Sequence, residues 1–187
     1  MTTPVHVLGI SGSLRRGSLN TALLHAAAEL LPERMTLEIH DLAAIPLYNA
    51  DLEASGVPAP IQAFKERIAA ADALLIATPE YNYSVPGVLK NALDWASRPM
   101  PSPVGGKPLA ITGAGGRFGT VRAQLHLRQI AVYLNLLPLN KPELMIPLAW
   151  EKFDAQGRLT DEPTRTALRD LLAALGDWTR QLRGEPR

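Results

Sequence analysis

The chain has 187 residues and nearly balanced charge, 19 Lys and Arg against 18 Asp and Glu, for a formal +1. That length suits one domain with a good core, and that balance gives neither an electrostatic footprint for nucleic acid nor an acidic tail. There is no cysteine, which excludes disulfides, thiolate metal sites and cysteine nucleophiles.

The four histidines, His6, His25, His40 and His126, never stand at metal-ligand spacing from one another. No apolar run approaches the roughly 18–20 residues of a membrane span. A glycine-rich stretch arrives too early for a basic and then apolar leader, so the expectation is a cytoplasmic protein.

Residues 5–8, Val5-His6-Val7-Leu8, read as a short strand. They empty into Gly9-Ile10-Ser11-Gly12-Ser13-Leu14-Arg15-Arg16-Gly17-Ser18-Leu19-Asn20. Leu19, Leu23, Ala26, Ala27, Leu30 and Leu31 then recur at helical spacing. A strand, a Gly/Ser loop and a helix in succession make a place to hold an anion. Free backbone N–H groups gather at the helix start, and the helix dipole adds partial positive charge there. Ser11, Ser13 and Ser18 supply hydroxyls, Asn20 an amide, and Arg15 or Arg16 a full charge. Spacing rules out a Walker loop, a dinucleotide fingerprint and a nucleophile elbow. What remains is a cradle for the phosphate of a mononucleotide.

A second strand is predicted over 35–40, followed by an irregular stretch over 41–60 that holds four turn-forming residues, Pro46, Gly56, Pro58 and Pro60. Stretches of that length often cap a site. A helix follows over 60–71, with Ile61, Phe64 and Ile68 on one face. Residues 73–78 are apolar without alternation, as in a central strand buried on both faces. They lead into Pro79-Glu80-Tyr81-Asn82-Tyr83-Ser84, and Pro86 suits the first turn of a helix over 88–97. A proline-rich connector occupies 98–103.

The fourth strand, over 108–112, ends in a second glycine loop, Gly113-Ala114-Gly115-Gly116-Arg117. Then come a helix over 118–134, a turn over 135–142, a short strand over 144–146 and a surface turn over 154–157. The last helix is predicted over 161–182, with Thr160 or Asp161 as its cap. Leu168, Leu171, Leu172, Leu175 and Leu182 are expected to face inward.

Five βα units describe a single α/β domain with a doubly wound sheet and helices on both faces. Ligands of such sheets bind outside the carboxyl ends of the strands. The three unusual loops, after the first, third and fourth strands, all fall at that edge. The second loop offers Tyr81 and Tyr83 as a platform for a flat, partly polar ring, and the third offers backbone N–H groups to the ring's far edge. Together with the phosphate cradle, that is what a flavin mononucleotide needs. No nucleophile–base pair, carboxylate cluster or acid/base dyad stands out, and Glu80 is read as holding its loop or a partner subunit, with a role as acid or base the alternative. Chemistry is therefore expected from a bound cofactor, with no catalytic side chain.

Gly12-Ser13-Leu14-Arg15-x-Gly17-Ser18-x-Asn20, paired with Pro79-Glu80-Tyr81-Asn82-Tyr83-Ser84-x-Pro86-Gly87-x-Leu89-Lys90-Asn91-Ala92-x-Asp94-Trp95, resembles the NADPH-dependent FMN reductase family. The likeness covers roughly residues 4–150. It implies a flavodoxin-like fold, a five-stranded parallel sheet in the order 2-1-3-4-5. It implies that Ser11, Ser13, Arg15, Ser18, Asn20 and Thr21 hold the FMN phosphate and that Pro79, Glu80, Tyr81, Asn82 and Tyr83 line the isoalloxazine. Thr112, Gly113, Gly115 and Gly116 would bound its other side. One departure is the third loop, Gly-Ala-Gly-Gly-Arg, where relatives often carry a serine.

The resemblance further implies a homodimer or homotetramer, with the Glu80 loop and the helix bearing Leu89 to Trp95 near a subunit contact. It implies a two-step, ping-pong transfer of hydride from NADPH, or NADH, through FMN to small-molecule acceptors: quinones, azo compounds, free flavin or metal oxyanions such as chromate. Arg15, Arg16 or Arg117 is expected at the 2′-phosphate of NADPH. Two other readings compete. A flavodoxin-like electron carrier would be strongly acidic, which this chain is not, and a flavin-free regulatory domain would have no use for the phosphate loop.

Overall fold

A computed structural model gives the fold, and it describes residues 3–98 and 100–185. Six parallel strands, β1 (Val5–Ser11), β2 (Met35–His40), β3 (Ala73–Ala77), β4 (Pro108–Ala114), β5 (Leu137–Pro138) and β6 (Leu144–Ile146), form one sheet. Its order is β2-β1-β3-β4-β5, with β6 also on β4. The helices are α1 (Leu19–Glu29), α2 (Ala50–Ser55), α3 (Ala59–Ala70), α4 (Gly87–Ala96), α5 (Val121–Leu134) and α6 (Glu162–Leu182).

The pleat sorts each central strand's side chains between two cores. Val5 and Val7 of β1, Ala73, Leu75 and Ala77 of β3 and Ala110 of β4 pack under α1 and α6. Leu8 and Ile10, Leu74 and Ile76, and Leu109 and Ile111 pack under α3, α4 and α5. All five residues of β3 are buried, as a strand covered on both faces requires.

The fold differs from the sequence expectation in several places. The fifth strand position is filled by two pieces: β5 pairs with Pro108 and Leu109, while β6 pairs with Thr112, Gly113 and Ala114. Pro138 and Pro142 lack the N–H that an unbroken strand would donate to the ladder. The stretch expected as a turn over 135–142 thus holds β5. The first strand runs on to Ser11 and the fourth to Ala114, because Gly12 N–H still bonds Ala77 O and the pairing with β6 carries β4 onward.

The irregular stretch after β2 contains α2, started by the Asn49 side chain accepting from Asp51 N. Helix α5 begins at Val121 rather than 118, since Gly119 turns the chain at φ +60°. Asp161 caps α6 through Thr164 N, whereas Leu182 is 41% exposed and faces outward. In the proline-rich connector, Pro99 lies outside the described residues. Among the described residues no helix is long and apolar enough to cross a membrane.

Candidate functional site

The loops after β1, β3 and β4 converge at the carboxyl edge of the sheet. Thr78 N–H bonds Thr112 O and Gly12 N–H bonds Ala77 O, so the three strands leave the sheet in register. Gly12 lets the first loop lie close to the second, because a Cβ there would come within 3.1 Å of Pro79 Cδ and 3.3 Å of Leu89.

In the first loop the polar side chains brace the backbone. Ser18 is buried and its Oγ accepts from Asn20 N and Thr21 N, capping α1. Ser11 Oγ lies 2.8 Å from Thr21 Oγ1, Ser13 Oγ accepts from Arg15 N, and Arg15 Nη2 donates to Gly17 O at 2.7 Å. Among the described residues, the N–H groups of Leu14, Arg16 and Gly17 make no hydrogen bond. Three unspent donors beside a helix N-terminus, with Arg15 and Arg16 adjacent, form a donor set that fits a phosphate.

Asn20 faces away from that cradle. Its Nδ2 donates to Ala114 O at 3.0 Å and its Oδ1 accepts from Ala114 N at 2.9 Å. One buried amide thus pins the first turn of α1 to the end of β4.

The second and third loops enclose an open cleft of about 500 Å³, bordered by residues 79–83, 114–119 and Arg122. Tyr81 and Ser84 exchange backbone hydrogen bonds of 3.1 and 2.9 Å around Asn82 (φ 49°) and Tyr83 (φ 65°). Positive φ at both central residues marks a primed turn, unusual for a tyrosine. The turn presents Tyr81 and Tyr83 to solvent, 51% and 65% exposed, opposite Phe118, 59% exposed on the third loop. Three exposed rings on one cleft suit a flat aromatic ligand.

Arg122 ties the two walls together. Its guanidinium lies 3.7 Å from the Tyr83 ring centroid and 5.2 Å from that of Phe118. Its Nε donates to Glu80 Oε1 at 2.7 Å. Glu80 Oε2 also accepts from the N–H groups of Arg122 and Ala123, in the first turn of α5. This carboxylate supplies the cap that Thr120, whose Oγ1 accepts from Gln124, does not provide. Burial pushes the Glu80 carboxyl up, but the Arg122 guanidinium and the two N–H donors outweigh it and hold it below the ordinary carboxylate value.

The remaining expected site residues take other places. Thr112 is fully buried and donates to Leu144 O, a carbonyl that Gln124 Nε2 also bonds. A Cβ on Gly113 would fall 2.2 Å from Thr78 O and from Thr120 Oγ1. Both residues form the floor behind the cleft, while Gly115 and Gly116 line it. Ser84 Oγ and His126 Nδ1 are 3.0 Å apart, but no carboxylate holds that imidazole among the described residues. Nor do three or more His, Asp or Glu side chains gather there as a metal site would require. Arg122 and Phe118 are the site residues that sequence reasoning missed. A lone arginine on a helix face carries no pattern; the one signal was Glu80, read as holding its loop, which it does by way of Arg122.

Fold and cleft together define a flavodoxin-like α/β protein with a cleft suited to a flat aromatic ligand. The sequence pattern of the NADPH-dependent FMN reductases matches residues 5–151, and this chain belongs to that family, whose cofactors are FMN and NAD(P)H. The chain is 58% identical over 185 residues, 98% of its length and 100% of the other's, to a Pseudomonas aeruginosa protein named NAD(P)H-dependent FMN reductase. It is 46% identical to an Arabidopsis thaliana NADPH:quinone oxidoreductase, covering 97% of this chain and 95% of that one. Among solved structures, the flavoenzyme NAD(P)H:(acceptor) oxidoreductase FerB from Paracoccus denitrificans superposes with a TM-score of 0.85 at 35% identity. That match covers 95% of this chain and 98% of FerB.

Proposed function

We propose that this protein is an FMN-dependent NAD(P)H oxidoreductase whose main acceptors are quinones. The observation that carries this reading is the pairing of unspent N–H donors in the first loop with an aromatic-walled cleft at the same sheet edge. Related proteins named for quinone reduction support the acceptor class. Bound FMN would supply hydride transfer between the nicotinamide and the acceptor.

The chain supplies binding and electrostatics. Leu14, Arg16 and Gly17 N–H would hold the phosphate, with Ser11, Ser13, Arg15, Ser18 and Thr21 keeping the loop in shape. Residues Pro79 to Tyr83 and Gly115 to Phe118 would flank the ring. Tyr81, Tyr83 and Phe118 leave the cleft open enough for nicotinamide and acceptor to use one space in turn, the two-step scheme. The same openness suits azo compounds, free flavin and metal oxyanions as further acceptors. No side chain is needed as an obligatory proton donor, since water reaches the cleft. The exposed Leu125, Val132 and Tyr133 of α5 support a homodimer or homotetramer, and the cytoplasm is the proposed compartment.

The test is an absorbance spectrum of the purified protein, repeated anaerobically with NADPH. A yellow protein that releases FMN on denaturation and bleaches with NADPH supports the reading. Colour that NADPH cannot bleach would point to an electron carrier. A protein that stays colourless with added FMN overturns the cofactor assignment.

A further inference from the structure

On the far side of the first loop lies a second groove, of about 520 Å³, between α1 and the turn over 154–159. Gly17, Ser18 and Thr21 belong both to its wall and to the loop of the phosphate cradle. Its floor is apolar, with Leu19, Ala22, Ala26 and Leu159. The turn is a braced hairpin in which Asp154 Oδ1 accepts from Gln156 N and Arg158 N, and Phe153 bridges to Leu159. Gly157 sits 4.0 Å above Ala22, measured from its would-be Cβ, so the hairpin leans on α1 and leaves the groove beside it.

The groove's charges are arranged unevenly. Among the described residues the Arg16 side chain makes no hydrogen bond or ion pair, and neither does that of His25. Arg158 spends only Nε, on Asp154 at 2.7 Å, and keeps both Nη groups unpartnered. Asp154 is consumed by its own hairpin, and Glu29, at the other end of α1, lies 3.9 Å from Arg165. Arg16, beside the cradle, is therefore the groove's unpaired guanidinium among the described residues, with the Arg158 Nη groups also unspent, above a floor that an aromatic base could cover. By contrast Arg15 is committed to Gly17 O, and Arg117 lies 5.9 Å from the Phe118 ring at the cleft itself.

We infer that this groove binds the 2′-phosphorylated adenosine end of NADPH, with Arg16 and Arg158 on the phosphate and the base over Ala22 and Leu159. The inference rests on the FMN and NAD(P)H reading above. The first turn of α1 links the two: Leu19 and Thr21 line the groove, while Asn20 between them bonds Ala114 at the cleft. A helix is about 10 Å across, which an extended dinucleotide exceeds. Guanidinium–phosphate pairs are charge-assisted, and their partial exposure moderates their strength.

The experiment uses FMN-loaded protein and its Arg16→Ala, Arg158→Ala and Arg117→Ala variants. It measures kcat/KM for NADPH and for NADH with a quinone, and calorimetric binding of adenosine 2′,5′-bisphosphate, which is redox-inert. The NADPH-to-NADH preference is expected to fall about five- to tenfold in Arg16→Ala and in Arg158→Ala, with a matching loss of bisphosphate affinity, and Arg158→Ala, which lies outside the FMN cradle, should keep the flavin spectrum unaltered. Arg117→Ala should leave the bisphosphate affinity as it was. If the first two variants keep the preference, or Arg117→Ala alone loses it, the groove is not this subsite. A wild-type protein that takes up no FMN would instead sink the underlying reading, and the spectrum shows that before any KM is measured.

Discussion

Glu80 is the residue whose environment most constrains the cleft. Its carboxylate satisfies two N–H groups of α5 and the Arg122 guanidinium, and Arg122 in turn covers Tyr83 in its left-handed turn. A Gln at position 80 keeps the shape but sets an amide that donates as well as accepts against three donors. Glu80→Gln should therefore cost about 2 kcal/mol in a denaturant titration, below the loss for a fully buried ion pair because Arg122 is one-third exposed. Weaker FMN retention should accompany it.

The pH dependence has a definite sign. The folded carboxyl titrates below its ordinary value of 4.5, so its contribution is complete above that value. It is lost as pH falls through the lower folded value. Wild-type stability should drop across that acid range more steeply than that of Glu80→Gln, and parallel curves would show that Glu80 is uncoupled. Glu80 was visible in the sequence as a carboxylate without a catalytic partner. Arg122, distant in the chain, was not, because only the fold brings α5 beneath the second loop.

At the scale of elements, the strands and helices that bury regular faces were legible. The helical spacing of Leu23, Ala26 and Ala27, the unbroken apolar run of β3 and the Asp161 cap all follow from local chemistry. The divided fifth strand was not, because a two-residue strand carries no period and exists only through pairing with β4. The extent of β4 was misread for a related reason: Gly113 looks like a loop residue, yet it pairs with Met145. Its lack of a side chain serves packing. A methyl there would meet a backbone oxygen, Thr78 O, that cannot swing aside. Gly113→Ala should cost about 3 kcal/mol or more in thermal or denaturant unfolding. Adding Thr120→Ala should restore little, since the carbonyl remains. A well-folded Gly113→Ala protein of wild-type stability would contradict this packing.

For the whole molecule, the two cores and the open edge have separate work. Leu168, Leu171, Leu172 and Leu175 seat α6 on the sheet, each worth about 2 kcal/mol of burial, against under 1 kcal/mol for an exposed pair such as Arg169–Glu162. The carboxyl edge, by contrast, holds Tyr83 at positive φ, leaves three aromatic rings exposed in the cleft and, among the described residues, keeps N–H groups of the first loop without partners. Such a surface gains when a ligand supplies the missing contacts, and a ligand that binds only the folded chain stabilises it by mass action. FMN at a thousandfold excess over its Kd should add about 4 kcal/mol, which for a chain of this size is a rise in Tm of about 8–16 °C. Because the phosphate end carries the cradle's part of that gain, riboflavin, which lacks the phosphate, should raise Tm much less. Equal shifts from FMN and riboflavin would mean that the first loop does not hold the phosphate, and no shift from either would mean that the cleft binds no flavin.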